Sequence, residues 1–154
     1  MNGLEVIRRI LVRFPFLAKA ITYLWRLGRP RYTAGVVGVV MNEQGQVLLV
    51  EHLLHPRTPW GLPGGWTDRG EDFMHTLTRE LQEELQLSVR DLKLLLVELS
   101  PAYPYHIDIV YRCVATGQVG KLSPELISYG WYDLAALPPN LPRLHLRALQ
   151  SAAL

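Results

Sequence analysis

Residues 65–87 read GWTDRGEDFMHTLTRELQEELQL. This stretch holds Glu71, the run Arg79-Glu80-Leu81, and the adjacent pair Glu83-Glu84. On a helix, Glu80, Glu83 and Glu84 stand at i, i+3 and i+4, so their carboxylates share one narrow stripe. Like charges at this spacing repel by roughly several tenths of a kcal/mol per pair, even in solvent. A run of acids on a helix is ordinarily a solvated face. The residues around this one argue otherwise. Phe73, Leu77, Leu81 and Leu85 recur every four positions and predict an apolar stripe that docks the helix on a core. At about 100° per residue the acidic stripe falls roughly a quarter turn from the apolar one, at the edge of the buried face where a cleft forms. Repelling carboxylates in that position suit a hard divalent cation with oxygen ligands, Mg²⁺ above all, which commonly works beside substrate phosphates.

The helix is expected from about Asp72, a suitable N-cap, to Leu85. Before it, Gly61, Pro63, Gly64, Gly65 and Gly70 predict a tight loop able to bring backbone groups close to a ligand. The spacing Gly65-x5-Glu71-x7-Arg79-Glu80-Leu81-x-Glu83-Glu84-x-Gln86-Leu87 resembles the signature of the Nudix hydrolases, with Trp60-Gly61-Leu62-Pro63-Gly64-Gly65 matching the family's upstream pattern. The resemblance covers about residues 32–140. The one departure is Gln86, where the family usually has glycine. Glycine suits a left-handed residue just past a helix end, and a glutamine held there costs about 1 kcal/mol unless the helix ends differently.

The resemblance implies a set of roles. Glu80, Glu83 and Glu84 would bind Mg²⁺, with Mn²⁺ as a substitute, assisted by the Gly64 carbonyl. Arg79 would pair with Glu71 and orient the cluster beside Gly65. The reaction would be hydrolysis of a diphosphate linkage in a nucleoside diphosphate derivative by an activated water. The general base stays open between a glutamate of the cluster, Glu125 in the later segment KLSPELISYGW, and, behind it, Glu98; Glu125 reads more simply as a solvated loop acid. Arg57 could meet substrate phosphate, or be an ordinary solvated arginine. Tyr103 and Tyr105 could stack on a ring, although rim packing explains them as well. Pro101, fourteen residues past Leu87, points weakly to ADP-ribose-like substrates. His52, His55 and His106 each read most simply as surface or packing residues. The contrasting reading is a vestigial Nudix domain that senses nucleotides or acts as a scaffold, recruited by its amino-terminal arm. Intact Glu80, Glu83 and Glu84 favour the enzyme.

The chain has 154 residues, enough for one domain with its own core and a short appendage. Nearly half the residues are apolar and under a fifth charged, which excludes a disordered chain. The single cysteine, Cys113, cannot form an internal disulfide, reads as a buried small hydrophobe, and suits a reducing cytoplasm. Charge is uneven. Residues 1–32 carry seven basic side chains against Glu5, or +6, and the remainder carries nine against thirteen, or −4, which together make the net +2.

Residues 1–31 are therefore expected to be a basic, apolar helical extension, and residues 32–154 the catalytic domain. Apolar positions at helical spacing predict two helices broken at Pro15 and ended by Gly28 and Pro30. Arg13, Lys19 and Arg26 interrupt the apolar run, so it is too short to span a bilayer, and it has no small-residue cleavage site. Three readings stay open. The arm could pack on the body or on a second subunit in a homodimer, or make peripheral contact with anionic lipid, or touch nucleic acid. Nucleic acid is not expected as the partner of the whole chain, which should take a small nucleotide in the cytoplasm.

Strands are expected at 34–41, 46–51, 89–100, 105–115 and 129–133, with 92–96 ambiguous in period. A helix is expected to begin at 133–137 and to be cut off by Pro138-Pro139, and a final helix to run over about 144–153. Mixed strands with helices on both faces make an α/β/α sandwich, which the Nudix resemblance also implies.

Overall fold

The computed structural model describes residues 2–152. The chain divides into two compact units, residues 1–31 and 32–154. The first holds α1 (Gly3–Arg13) and α2 (Pro15–Leu27). Pro15 opens α2, where its missing N–H costs nothing. Among the described residues, no helix is long and apolar enough to cross a membrane.

The second unit is built on a seven-stranded mixed sheet. Its strands are β1 (Thr33–Met41), β2 (Val47–His52), β3 (Trp60–Gly61), β4 (Gly64–Trp66), β5 (Ser88–Leu99), β6 (His106–Thr116) and β7 (Leu126–Tyr132). β1 lies parallel to β6, and every other pairing is antiparallel. The helices are α3 (Phe73–Leu85) and α4 (Arg143–Ala152).

The uninterrupted apolar run of β1 follows from burial on both faces. Val36 and Val40 face one core with Leu48, Val50, Ile109 and the α3 residues Leu77, Leu81 and Leu85. Val39 faces the other with Val47, Leu49, Val110 and the α4 residues Ala148 and Leu149. The two cores sandwich the sheet between α3 and α4, giving the α/β/α architecture.

Three expectations are corrected. Phe73 is substantially exposed, 40 % by area; it is the first helical residue, and the buried stripe of α3 runs through Thr76, Leu77, Leu81, Glu84 and Leu85 instead. Residues 133–137 make a turn closed by Ala136 N–H donating to the Asp133 carbonyl, because Pro138 leaves no room for a second helical turn. The Gly-rich loop contains two short strands, β3 and β4, flanking a buried Leu62. The ambiguity at 92–96 also has a cause: register shifts between Arg90 and Lys93 and between Leu94 and Leu96 break the two-residue period of β5. The expected carboxyl-terminal helix forms as α4; residue 153 of that expectation lies outside the described residues, as does residue 1 of the extension.

Candidate active site

The site is assembled where β4 meets α3. β1 gives its first half to β4, pairing Gly35 with Trp66, Val36 with Gly65 and Val37 with Gly64. It reaches β2 only at Met41. Pro63 is tied in by its carbonyl, which accepts from Gly38 N–H at 2.9 Å. Two glycines keep this approach open, and only the first is required by the backbone itself. Gly64 has φ of 144°, and a Cβ on it would lie 2.1 Å from the Val36 carbonyl oxygen. A Cβ on Gly65 would lie 2.4 Å from the Glu80 carboxyl group. The bare backbone of β4 thus lets the glutamates of α3 come against it.

Helix α3 is held at both ends. The Asp72 side chain accepts from Met74 N–H at 2.9 Å and His75 N–H at 3.4 Å, the expected N-cap. Gln86 takes the left-handed conformation, φ 49° and ψ 37°, so the glycine position of the signature keeps its backbone shape here. Its side-chain Oε1 accepts from Lys121 N–H at 3.2 Å.

The three signature glutamates differ in surroundings. The Glu83 side chain is 60 % exposed and that of Glu80 16 %, while Glu84 as a residue is 7 % exposed. Burial, followed by the charge of Glu80, pushes the Glu84 carboxyl up to about 7, against a lowering contribution from Gly64 N–H. Burial also raises Glu80, with Arg79 opposing it. Glu84 Oε2 is buried without a hydrogen-bond partner. A buried carboxylate oxygen left unpaired is costly. Among the described residues no three acidic, histidine or cysteine side chains are gathered closely enough to hold a metal ion as they stand, since Arg79 draws Glu80 and Glu83 to itself. The carboxylate chemistry suits Mg²⁺ or Mn²⁺, and Glu84 Oε2 is the oxygen that such a cation would partner.

Arg79 braces the cluster. Its Nε donates to Glu71 Oε1 at 2.9 Å and its Nη2 to Glu71 Oε2 at 3.1 Å. Nη1 donates to Glu80 Oε1 at 2.9 Å and to Glu83 Oε2 at 3.1 Å, and Nη2 also reaches the Trp66 carbonyl at 3.1 Å. Glu71 is held in turn by Asp68 N–H, by the Thr76 hydroxyl, and by a 2.8 Å contact with His75 Nδ1. Arg79, ahead of the other donors, keeps Glu71 well below the usual carboxylate range. Thr76 and His75 were not singled out from sequence, although both sit within five residues of Glu71 on the same helical turn.

The remaining candidates separate. Glu125 directly precedes β7, with its carbonyl accepting from Leu53 N–H at 2.9 Å, and its charge raises both Glu80 and Glu84. Glu98 does not join it and pairs with Arg147 of α4. Arg57 is exposed in the loop joining β2 and β3. Tyr103 and Tyr105 diverge. Tyr103 meets Trp66 and His106, at ring separations of 6.5 and 6.0 Å, whereas Tyr105 meets Tyr32 at 5.8 Å. Trp66, 57 % exposed, also lies 4.6 Å from the His106 ring. Sequence reasoning passed over Trp66, even though it directly follows Gly65. Cys113 is fully buried, and burial pushes its thiol up to about 12, which excludes it as a nucleophile at neutral pH.

Residues 31–152 match the sequence profile of the NUDIX domain. A NAD-capped RNA hydrolase, NudC of Erwinia tasmaniensis, is 28 % identical over 116 residues, covering 71 % of this chain and 43 % of its own. A Bacillus subtilis protein with the provisional name ADP-ribose pyrophosphatase YjhB is 32 % identical over 133 residues, covering 81 % of this chain and 62 % of its own. The chain thus spans about half the length of these two relatives. The crystal structure of a MutT NUDIX hydrolase from Burkholderia pseudomallei superposes with a TM-score of 0.69 at 26 % identity, covering 79 % of this chain and 98 % of that one. The chain belongs to the Nudix hydrolase family.

Proposed function

We propose that the chain is a Mg²⁺-dependent pyrophosphohydrolase that cleaves the diphosphate linkage of a nucleoside diphosphate derivative, of ADP-ribose type or a related nucleotide. One observation carries this reading. Glu84 is buried beside two further carboxylates and keeps an oxygen without a partner, an arrangement that costs stability unless a cation completes it. When bound, the metal neutralises phosphate charge and makes water a competent nucleophile at neutral pH. Glu80, Glu83 and Glu84, with the Gly64 carbonyl, would hold it. Arg79 keeps Glu80 and Glu83 oriented while Glu71 holds the guanidinium. Glu125, whose charge reaches the same cluster, is our candidate to accept the proton of the attacking water. Arg57 and Tyr103 are candidates for phosphate and ring contacts. The single buried thiol suits a reducing compartment, so we assign the chain to the cytoplasm.

The names of the relatives, a NAD-capped RNA hydrolase and an ADP-ribose pyrophosphatase, point to substrates with a phosphoanhydride next to a nucleoside. The test is product release from a panel of ADP-ribose, dinucleotides, nucleotide sugars and nucleoside triphosphates with Mg²⁺, with Glu83→Gln alongside. Hydrolysis of one class by the natural protein, reduced at least a hundredfold in Glu83→Gln, is expected. Equal, low turnover by both proteins across the panel would overturn the reading in favour of a binding or scaffold module.

A further inference from the structure

We propose that α1 and α2 form an interfacial anchor that lays the amino-terminal unit on an anionic lipid surface. Neither helix has a buried residue, yet both are strongly two-sided. At 100° per residue, Leu4, Ile7, Ile10 and Leu11 of α1 share one side, Arg9 and Arg13 lie opposite, and Arg8 flanks the apolar side. In α2, Leu17, Ile21 and Leu24 oppose Lys19 and Arg26. Leu4, Ile21 and Leu24 on these sides are each 60 % exposed or more.

Length decides how such helices meet a bilayer. The 11 and 13 residues of α1 and α2 extend about 17 and 20 Å, short of the ~30 Å hydrocarbon core. They fit the interface plane, apolar side down. Charge decides the occupant. Residues 2–31 carry seven basic side chains and one acid, and the guanidinium of Arg29 sits 4.0 Å over the Trp25 ring, so a cation and an interfacial aromatic share one rim. A second copy of the chain would set one +6 arm against another, which like-charge repulsion opposes. A surface of anionic headgroups neutralises the same charge while the acyl boundary takes up the apolar sides.

The test uses the full chain and sedimenting vesicles of phosphatidylcholine alone or with about 30 mol % phosphatidylglycerol. Partitioning onto the anionic vesicles, weakened by raising salt from about 0.1 to 0.5 M, is expected. Neutralising Arg8, Arg9 and Arg13 to glutamine should reduce it about fivefold per arginine, and Ile10→Asp should abolish it, with nucleotide hydrolysis and circular dichroism unchanged. Equal partitioning onto both vesicle types, absence of partitioning, or full retention by the triple variant would overturn the proposal. So would a dimer that Ile10→Asp converts to monomers, with no vesicle binding by either protein; that result would assign the face to a second subunit.

Discussion

Arg79 and Glu71 meet through two parallel hydrogen bonds, Nε to Oε1 at 2.9 Å and Nη2 to Oε2 at 3.1 Å. This fork turns the remaining guanidinium donor toward Glu80 and Glu83. A lysine cannot reproduce it, having one point charge where the site uses a planar group. Arg79→Lys is therefore expected to lower kcat by about ten- to a hundredfold, the usual effect of losing a group that orients metal ligands. Steady-state kinetics at saturating Mg²⁺, with the melting curve as a folding control, measures it.

Glu84 sets function against stability. Its carboxyl is buried, pushed up to about 7, and left with an unpaired oxygen. Removing the charge relieves that burial whenever no metal is present. In EDTA at pH 8, Glu84→Gln should be more stable than the natural protein by about 1–3 kcal/mol, read from urea midpoints. The same variant should lose at least a hundredfold in turnover. A variant no more stable in EDTA would mean that Glu84 pays no burial cost.

The glycines of β4 should fail in different ways. In Gly64→Ala the methyl meets the Val36 backbone and the residue needs φ of 144°, so a loss of about 3 kcal/mol or more is expected. In Gly65→Ala the obstacle is the Glu80 carboxyl group, a side chain that can swing aside. That protein should fold, with Mg²⁺ dependence shifted to at least tenfold higher concentration. Calorimetry and Mg²⁺ titration of turnover distinguish the two.

His145 gives a pH signature of its own. Its Nδ1 accepts from Leu62 N–H at 3.0 Å, and burial, then the charges of His52 and His55, lower it from 6.5 to about 4. The unfolded chain takes up this proton first, so stability is full above pH 6.5 and falls as pH drops toward 4, by up to about 1.4 kcal/mol per unit. Urea unfolding at pH 7.5, 6 and 5 should show this slope, and His145→Asn should flatten it.

Gln86 holds a left-handed backbone that glycine adopts freely. Gln86→Gly should stabilise the fold by about 0.5–1 kcal/mol after the loss of the Lys121 contact, read as a raised melting temperature, with turnover unchanged.

Local periodicity made α3 readable. The Asp72 cap, the buried Leu77, Leu81 and Leu85, and the shared stripe of Glu80, Glu83 and Glu84 follow from 3.6 residues per turn, a geometry each residue imposes on its near neighbours. The same logic misjudged Phe73, since a helical period cannot tell where the sheet beneath ends. It also overran at 133–137, where a proline two residues on outweighs a helical start.

What the sequence alone determined is the placing of the acids: three carboxylates on one helix, a glycine-rich segment before it, and an arginine that the family resemblance pairs with Glu71. Only the tertiary structure decided that Glu98 turns to Arg147, and that Tyr103 and Tyr105 part toward Trp66 and Tyr32. Such meetings join residues far apart in the chain. They depend on strand order, register and the bulges of β5, which sum over the whole sheet and leave no local pattern around the residues they bring together.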